Sequence, residues 1–171
     1  MKRTIRFVSL IALLGFSAPS FAEPIHAILY KNPQCSCCES YADYLRANGF
    51  DVEVRPTNDL AQISLKAGVP ANLEGCHTMF VQGYVVDGHV PVDIIRKLLT
   101  EKPAIAGVTL PGMPSGSPGM FGKKTETFTI YAVTKSGAAP TVYATEPGRD
   151  QMTAGEFACS PKNFPTRLTR L

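Results

Sequence analysis

The sequence predicts an α/β domain with a mixed sheet, and three observations carry that prediction. Between residues 25 and 103, short apolar runs and amphipathic runs follow the order strand, helix, strand, helix, strand, strand, helix. Two of the strand-like runs flank Gly83 with no helix between them, so that pair must be antiparallel. Glycine or proline closes each helix-like run, where it stops a helix from continuing.

IHAILY (25–30) reads as a short buried strand leading directly into Asn32-Pro33. From Cys38 to Asn48, Tyr41, Tyr44 and Leu45 recur at helical spacing, and Gly49 supplies the stop. FDVEVRP (50–56) alternates like a second strand. Asn58 is placed to cap a helix running through Ala67, with Gly68 ending it and Pro70 following. TMFVQG (78–83) and YVVDGHV (84–90) form the antiparallel pair, and VPVDIIRKLLTEKP (90–103) is an amphipathic helix ended by Pro103. That succession is the element order of a thioredoxin-like domain over residues 23–103. From Ala104 a Gly/Pro-rich run without periodicity predicts an ordered or mobile loop. KTETFTIYAV (124–133) and TVYAT (141–145) then suggest a hairpin that adds to the sheet edge or forms a flap. After Pro147 the pattern fades. Residues 104–171 thus read as a C-terminal extension of loop, hairpin and tail.

The first 22 residues have another purpose. A basic start, an apolar run of ten residues and SAPSFA form the pattern of a secretory leader, with cleavage expected after Ala22 and a periplasmic destination. The apolar run is about half the length a spanning helix needs, and no cysteine stands at the cleavage point to carry a lipid. The leader holds Lys2, Arg3 and Arg6, so the remaining 149 residues carry fourteen basic and fourteen acidic side chains. A balanced chain offers no electrostatic case for nucleic acid or an anionic membrane surface.

The chemistry concentrates in QCSCC, where Cys35, Cys37 and Cys38 fall within four positions. Adjacent Cα atoms sit about 3.8 Å apart, below the roughly 4.4 Å that ordinary disulfides span, so a Cys37–Cys38 bridge would be strained. The loop lies where a strand hands over to a helix, whose positive end favours thiolates. Crowded thiolates need a neutralising cation, and a soft metal ion fits them. A plain disulfide staple remains the bland alternative in an exported chain, although three cysteines in four residues waste linking capacity.

Cys76 and His77 precede the strand TMFVQG, a position that faces the first loop in a thioredoxin-like sheet. Cys76 would supply a fourth sulfur there. Thioredoxin-like oxidoreductases keep a proline at this point, and Pro70 is too far upstream to serve. His77 reads as a loop histidine with ordinary hydrogen bonds, His89 as a strand or turn residue that could approach the groove, and His26 as structural or exposed. Met113 and Met120 bracket GMPSGSPGM outside any periodic element, and their thioethers either suit Cu(I) or pack against the sheet.

CSCC, GCHT, GYVVDGHVP and GMPSGSPGM together resemble the CopG-type periplasmic proteins found with bacterial copper-resistance genes, over roughly Ile25 to Gly122. The resemblance implies a thioredoxin-like fold with a C-terminal extension and copper held by cysteine sulfurs beside the C-x-C-C loop. It also implies a role in copper redox handling or detoxification. By position, Cys35, Cys37, Cys38 and Cys76 match the thiol set, and the methionine loop belongs to the extension. Cys159 stands outside that pattern, as a further metal ligand, a disulfide partner or a free thiol.

The expected function is Cu(I) binding by these four thiolates, bridging if several ions are held, with Met113 or Met120 closing the site. Copper leaves as Cu(II) when the site is oxidised and a disulfide forms between Cys35 and Cys38. Copper-efflux or chaperone proteins are the expected partners of a monomer. Two other classes stay open: a thiol-disulfide oxidoreductase using Cys35 and Cys38, and a zinc-stabilised interaction module.

Overall fold

The computed structural model describes residues 23–135 and 138–148. The leader and Cys159 lie outside the described residues. Among the described residues, no helix is long and apolar enough to cross a membrane.

The chain forms β1 (Ile25–Lys31), α1 (Ser36–Ala47), β2 (Phe50–Pro56), α2 (Leu60–Lys66), a 3-10 turn (Ala71–Leu73), β3 (His77–Val81), β4 (Tyr84–Asp87), α3 (Val92–Glu101), β5 (Gly107–Thr109), β6 (Phe128–Val133) and β7 (Thr141–Glu146). One sheet contains all seven strands in the order β2-β1-β3-β4-β5-β6-β7. It is mixed: β1 with β2 and β4 with β5 are parallel, and the other neighbours are antiparallel. The α/β class and the order of the first seven elements therefore agree with the sequence.

Three local expectations need correction. α1 begins at Ser36 rather than Cys38, because Cys35 already takes the extended backbone of a cap and its N–H closes a turn onto Asn32 O. Asn58 does not cap α2: the cap position falls to Asp59, whose N–H is held by Thr57 Oγ1. The run after Ala104 is not all loop, since Gly107–Thr109 forms β5 between β4 and β6. The hairpin beyond it extends the sheet, with β7 at the edge.

Alternation along the strands separates the two faces. Leu29, Met79, Val86, Val108 and Ile130 pack with Tyr41 and Leu45 of α1 and with Ile95 and Leu98 of α3. Val85 and Val133 point the other way and pack with Val69 beyond α2. Each fully buried aliphatic side chain contributes roughly 1.5–3 kcal/mol by leaving water. The packed layer of β1, β3, β4 and α1 is what carries the thiols.

Candidate metal centre

The site begins with the hand-over from β1 to α1. Lys31, the last residue of β1, is almost completely buried, and its ammonium donates to the carbonyls of Asn32, Pro33 and Cys35 at 3.2–3.3 Å. It also pairs with Glu39 at 3.1 Å. A buried cation thus folds the thiol loop over itself and places positive charge beneath it. Cys37 and Cys38 follow in the first turn of α1, where the helix end favours negative sulfur.

Cys35 and Cys38 are joined by a disulfide. Cys37 Sγ lies 3.3 Å from Cys35 Sγ, and Cys76 Sγ lies 3.4 Å from Cys38 Sγ. All four sulfurs fall within 4.8 Å of one another. Cys38 is fully buried, whereas Cys35, Cys37 and Cys76 open onto a groove of about 430 Å³ that Met113 also lines. Met120 is half-buried and is not part of that lining.

The β3–β4 hairpin brings two histidines to the same place. Gln82 and Gly83 both have positive φ (46° and 84°), the backbone of a two-residue hairpin turn, and Val81 pairs with Tyr84. Continuing that register beyond Thr78 and Asp87 sets Cys76 opposite His89. His89 Nε2 lies 2.9 Å from Cys76 Sγ, while its Nδ1–H donates to the Pro118 carbonyl. That donation leaves Nε2 with a free lone pair, and burial keeps the ring neutral by lowering its pKa. The methionine loop thereby orients an imidazole, a task its sequence did not announce. It passes so close to α1 that a Cβ on Gly119 (φ 79°) would lie 2.6 Å from Tyr41 N.

His77 is not a loop histidine. It starts β3, is fully buried against the Tyr41 ring at 4.6 Å, and its Nε2 has no hydrogen-bond partner among the described residues. Its Nδ1 is 3.6 Å from Cys76 Sγ, and burial beside His89 holds its pKa well down. His26 lies away from the site, exposed and paired with Asp51.

Asp87 braces the turn that carries Cys76. Its carboxylate accepts from Gly75 N–H and from Thr78 Oγ1 at 2.8 Å, and Thr78 in turn meets Ser64 at 2.6 Å. Burial outweighs these hydrogen bonds and pushes the Asp87 pKa up to about 6. Burial, followed by the nearby Cys37, likewise raises the Cys76 pKa, so the metal-free thiol keeps its proton.

The donor set is soft: four sulfurs, a neutral imidazole 2.9 Å from one of them, and a thioether at the rim. Cu(I) fits such donors better than hard cations do. Four-sulfur binding requires two-electron reduction of the Cys35–Cys38 bond and loss of the thiol protons. Sequence reasoning had the sulfurs and allowed His89 to approach the groove without making it a ligand; the signal that seats it opposite Cys76 was present in the hairpin register around Gly83.

A family model described as a protein of unknown function, DUF411, matches residues 73–120, the stretch holding Cys76, both site histidines and the methionine loop. No curated protein matches. Two solved structures, both described as copper resistance protein CopG (forms 2 and 1), are similar at 36% identity with TM-scores of 0.68 and 0.67. They cover 73% and 74% of this chain and 100% of their own. Identity at that level along the whole of those structures, with the C-x-C-C loop facing Cys76, establishes that this chain belongs to the CopG family of copper-resistance proteins.

Proposed function

We propose that the protein is an exported copper-binding protein, its leader removed after Ala22, that holds Cu(I) in the periplasm as part of copper resistance. The observation that carries this reading is the convergence of Cys35, Cys37, Cys38 and Cys76 within 4.8 Å. Four thiolates at that spacing suit bridging between several Cu(I) ions. Met113 closes the groove side, and the lone pair of His89 Nε2 supplies a nitrogen donor next to Cys76. Met120 and Cys159 remain candidate ligands on sequence grounds alone.

Copper redox handling is part of the proposal. Oxidation of each Cu(I) to Cu(II) yields one electron and formation of the Cys35–Cys38 bond yields two, so the step consumes an external oxidant such as dioxygen, which takes all of these electrons. Loss of two thiolates then leaves a harder, less suitable donor set, and copper departs as Cu(II) to efflux or chaperone proteins.

The test is anaerobic Cu(I) titration of the reduced protein against a competing chelator. Several tightly held ions per chain are expected, with a lower stoichiometry when the Cys35–Cys38 disulfide is intact. Equal loading of both redox forms would sink the four-sulfur site. One observation favours a second reading, thiol-disulfide oxidoreductase activity: the bond joining Cys35 and Cys38 borders an open groove. Rapid insulin reduction by metal-free protein, together with failure to compete for Cu(I), would select it.

A further inference from the structure

The methionine loop is held from behind as well as from the front. Its front presents the Pro118 carbonyl to His89, and its backbone at Gly119 lies against α1. Behind it is a cavity of about 260 Å³, lined by Gly116 and Pro118 on the loop side and by Lys124 and Glu146 among the residues beyond. That space gives the loop room to withdraw from His89 unless its return arm is fixed.

Lys124 lies just past the loop, on the arm entering β6. Its side chain is only 10% exposed, crosses the Phe128 ring at 4.4 Å from the centroid, and ends on Glu146 Oε1 at 2.8 Å. The register of the last hairpin allows this reach, because Phe128 of β6 pairs with Glu146 of β7. An ammonium so far withdrawn from water depends on its carboxylate, and removing one partner of such a pair leaves a charge uncompensated. Backbone contact carries the tie into the loop. A Cβ on Gly116 (φ 75°) would lie 2.3 Å from Lys124 N, so the outgoing and returning chains touch there. Gly116 N–H also donates to Phe121 O at 3.2 Å, and Ser117 N–H to Pro114 O at 3.1 Å. Pro118 stands two residues from the Gly116 contact.

We propose that Lys124 and Glu146 are positioning residues for the metal centre: their ion pair fixes the return arm of the methionine loop and so keeps the Pro118 carbonyl on His89. The contacts run from Glu146 to Lys124, from Lys124 to Gly116, from Pro118 to His89 and from His89 to Cys76. Neither residue of the pair lines the thiol groove, so their effect on the sulfurs passes through the loop. An edge strand that brings no donor atom thereby acts on the site. The consequence for copper rests on the Cu(I) reading above, whereas the hold on His89 is a property of the metal-free chain.

The experiment reads that hold directly, by nitrogen-15 NMR of metal-free residues 23–171 with the Cys35–Cys38 disulfide intact. His89 is fully buried with its Nδ1–H on a carbonyl, so this proton is protected from solvent and gives a ring N–H signal, assigned by its absence from His89→Gln. In Lys124→Met and in Glu146→Ala the signal should be lost to solvent exchange while far-ultraviolet circular dichroism stays unchanged. Competition titration of the reduced proteins should show roughly tenfold weaker Cu(I) retention in each, the lower end of what an outer-shell partner costs. The double variant should be no weaker than either single one, because the pair acts as a unit. Glu146 is 41% exposed on the edge strand, so Glu146→Ala decides the matter if Lys124→Met does not fold. A protected His89 proton in a folded Glu146→Ala protein would overturn the proposal, as would losses that add in the double variant or a wild-type chain without that protected proton. A wild-type chain that shows the signal, loses it in both variants and yet fails to retain Cu(I) would uphold the positioning role and refute the copper reading.

Discussion

Cys76 is the residue on which the site turns, because it alone of the four sulfurs comes from outside the C-x-C-C loop and touches both Cys38 and His89. Cys76→Ser should weaken Cu(I) retention by at least about a hundredfold, the most that losing an outer-shell partner alone costs. Competition titration measures it, and unchanged retention would remove Cys76 from the site. Asp87, which braces the turn carrying Cys76, gives a prediction about pH. Its pKa is about 6 when folded against 3.8 ordinarily, so between those values the native carboxyl keeps a proton that the unfolded chain has lost. The associated stability, about 3 kcal/mol, is fully present below 3.8 and is lost as pH rises through 6. Urea unfolding of metal-free wild-type and Asp87→Asn proteins at pH 4 and pH 7 should show wild type losing about that much relative to the variant. His77 and His89, with lowered pKa values, act in the opposite direction in both proteins and cancel in the comparison. A pH-independent difference would show that Asp87 ionises normally.

Among the elements, the loop between β5 and β6 shows best how the site is assembled. Gly119→Ala removes no donor atom, yet its Cβ would press on Tyr41 N, a backbone atom inside α1 that cannot step aside. The loop must lift, and Pro118 O moves away from His89. Roughly tenfold weaker Cu(I) binding with normal far-ultraviolet circular dichroism is expected, on the scale of a lost outer-shell partner; wild-type affinity would show that the hold on His89 is dispensable. The elements differ in how openly the sequence announced them. β1 was legible as a short apolar run ending at Asn32-Pro33, β2 by its alternation, and the β6–β7 hairpin as two strand-like runs around a turn. β5 was not: three residues between turn formers carry no period, and pairing on both sides makes them a strand. The same limit applies to the site. Cysteine clustering shows within a few residues, whereas the Cys76–His89 contact exists only once the hairpin register is counted through.

For the whole molecule, the decisive fact is that one sheet runs from β2 to β7. A chain ending at Pro103 would keep the four cysteines and the first four strands. It would lose β5 from the side of β4, Val108 and Ile130 from the core, and the carbonyl that orients His89. We expect residues 23–103 alone to aggregate or to unfold without a cooperative transition, because an uncovered apolar strand edge invites pairing between chains. Thermal unfolding of that fragment beside residues 23–171 measures it, and a cooperative, monomeric fragment would make the second half an accessory. The contact from Pro118 to His89 also bears on how this protein tolerates change. Because a main-chain oxygen makes it, side chains along the loop can be exchanged without deleting the acceptor, and mutational sensitivity should gather instead at Gly119, where the path of the backbone is decided.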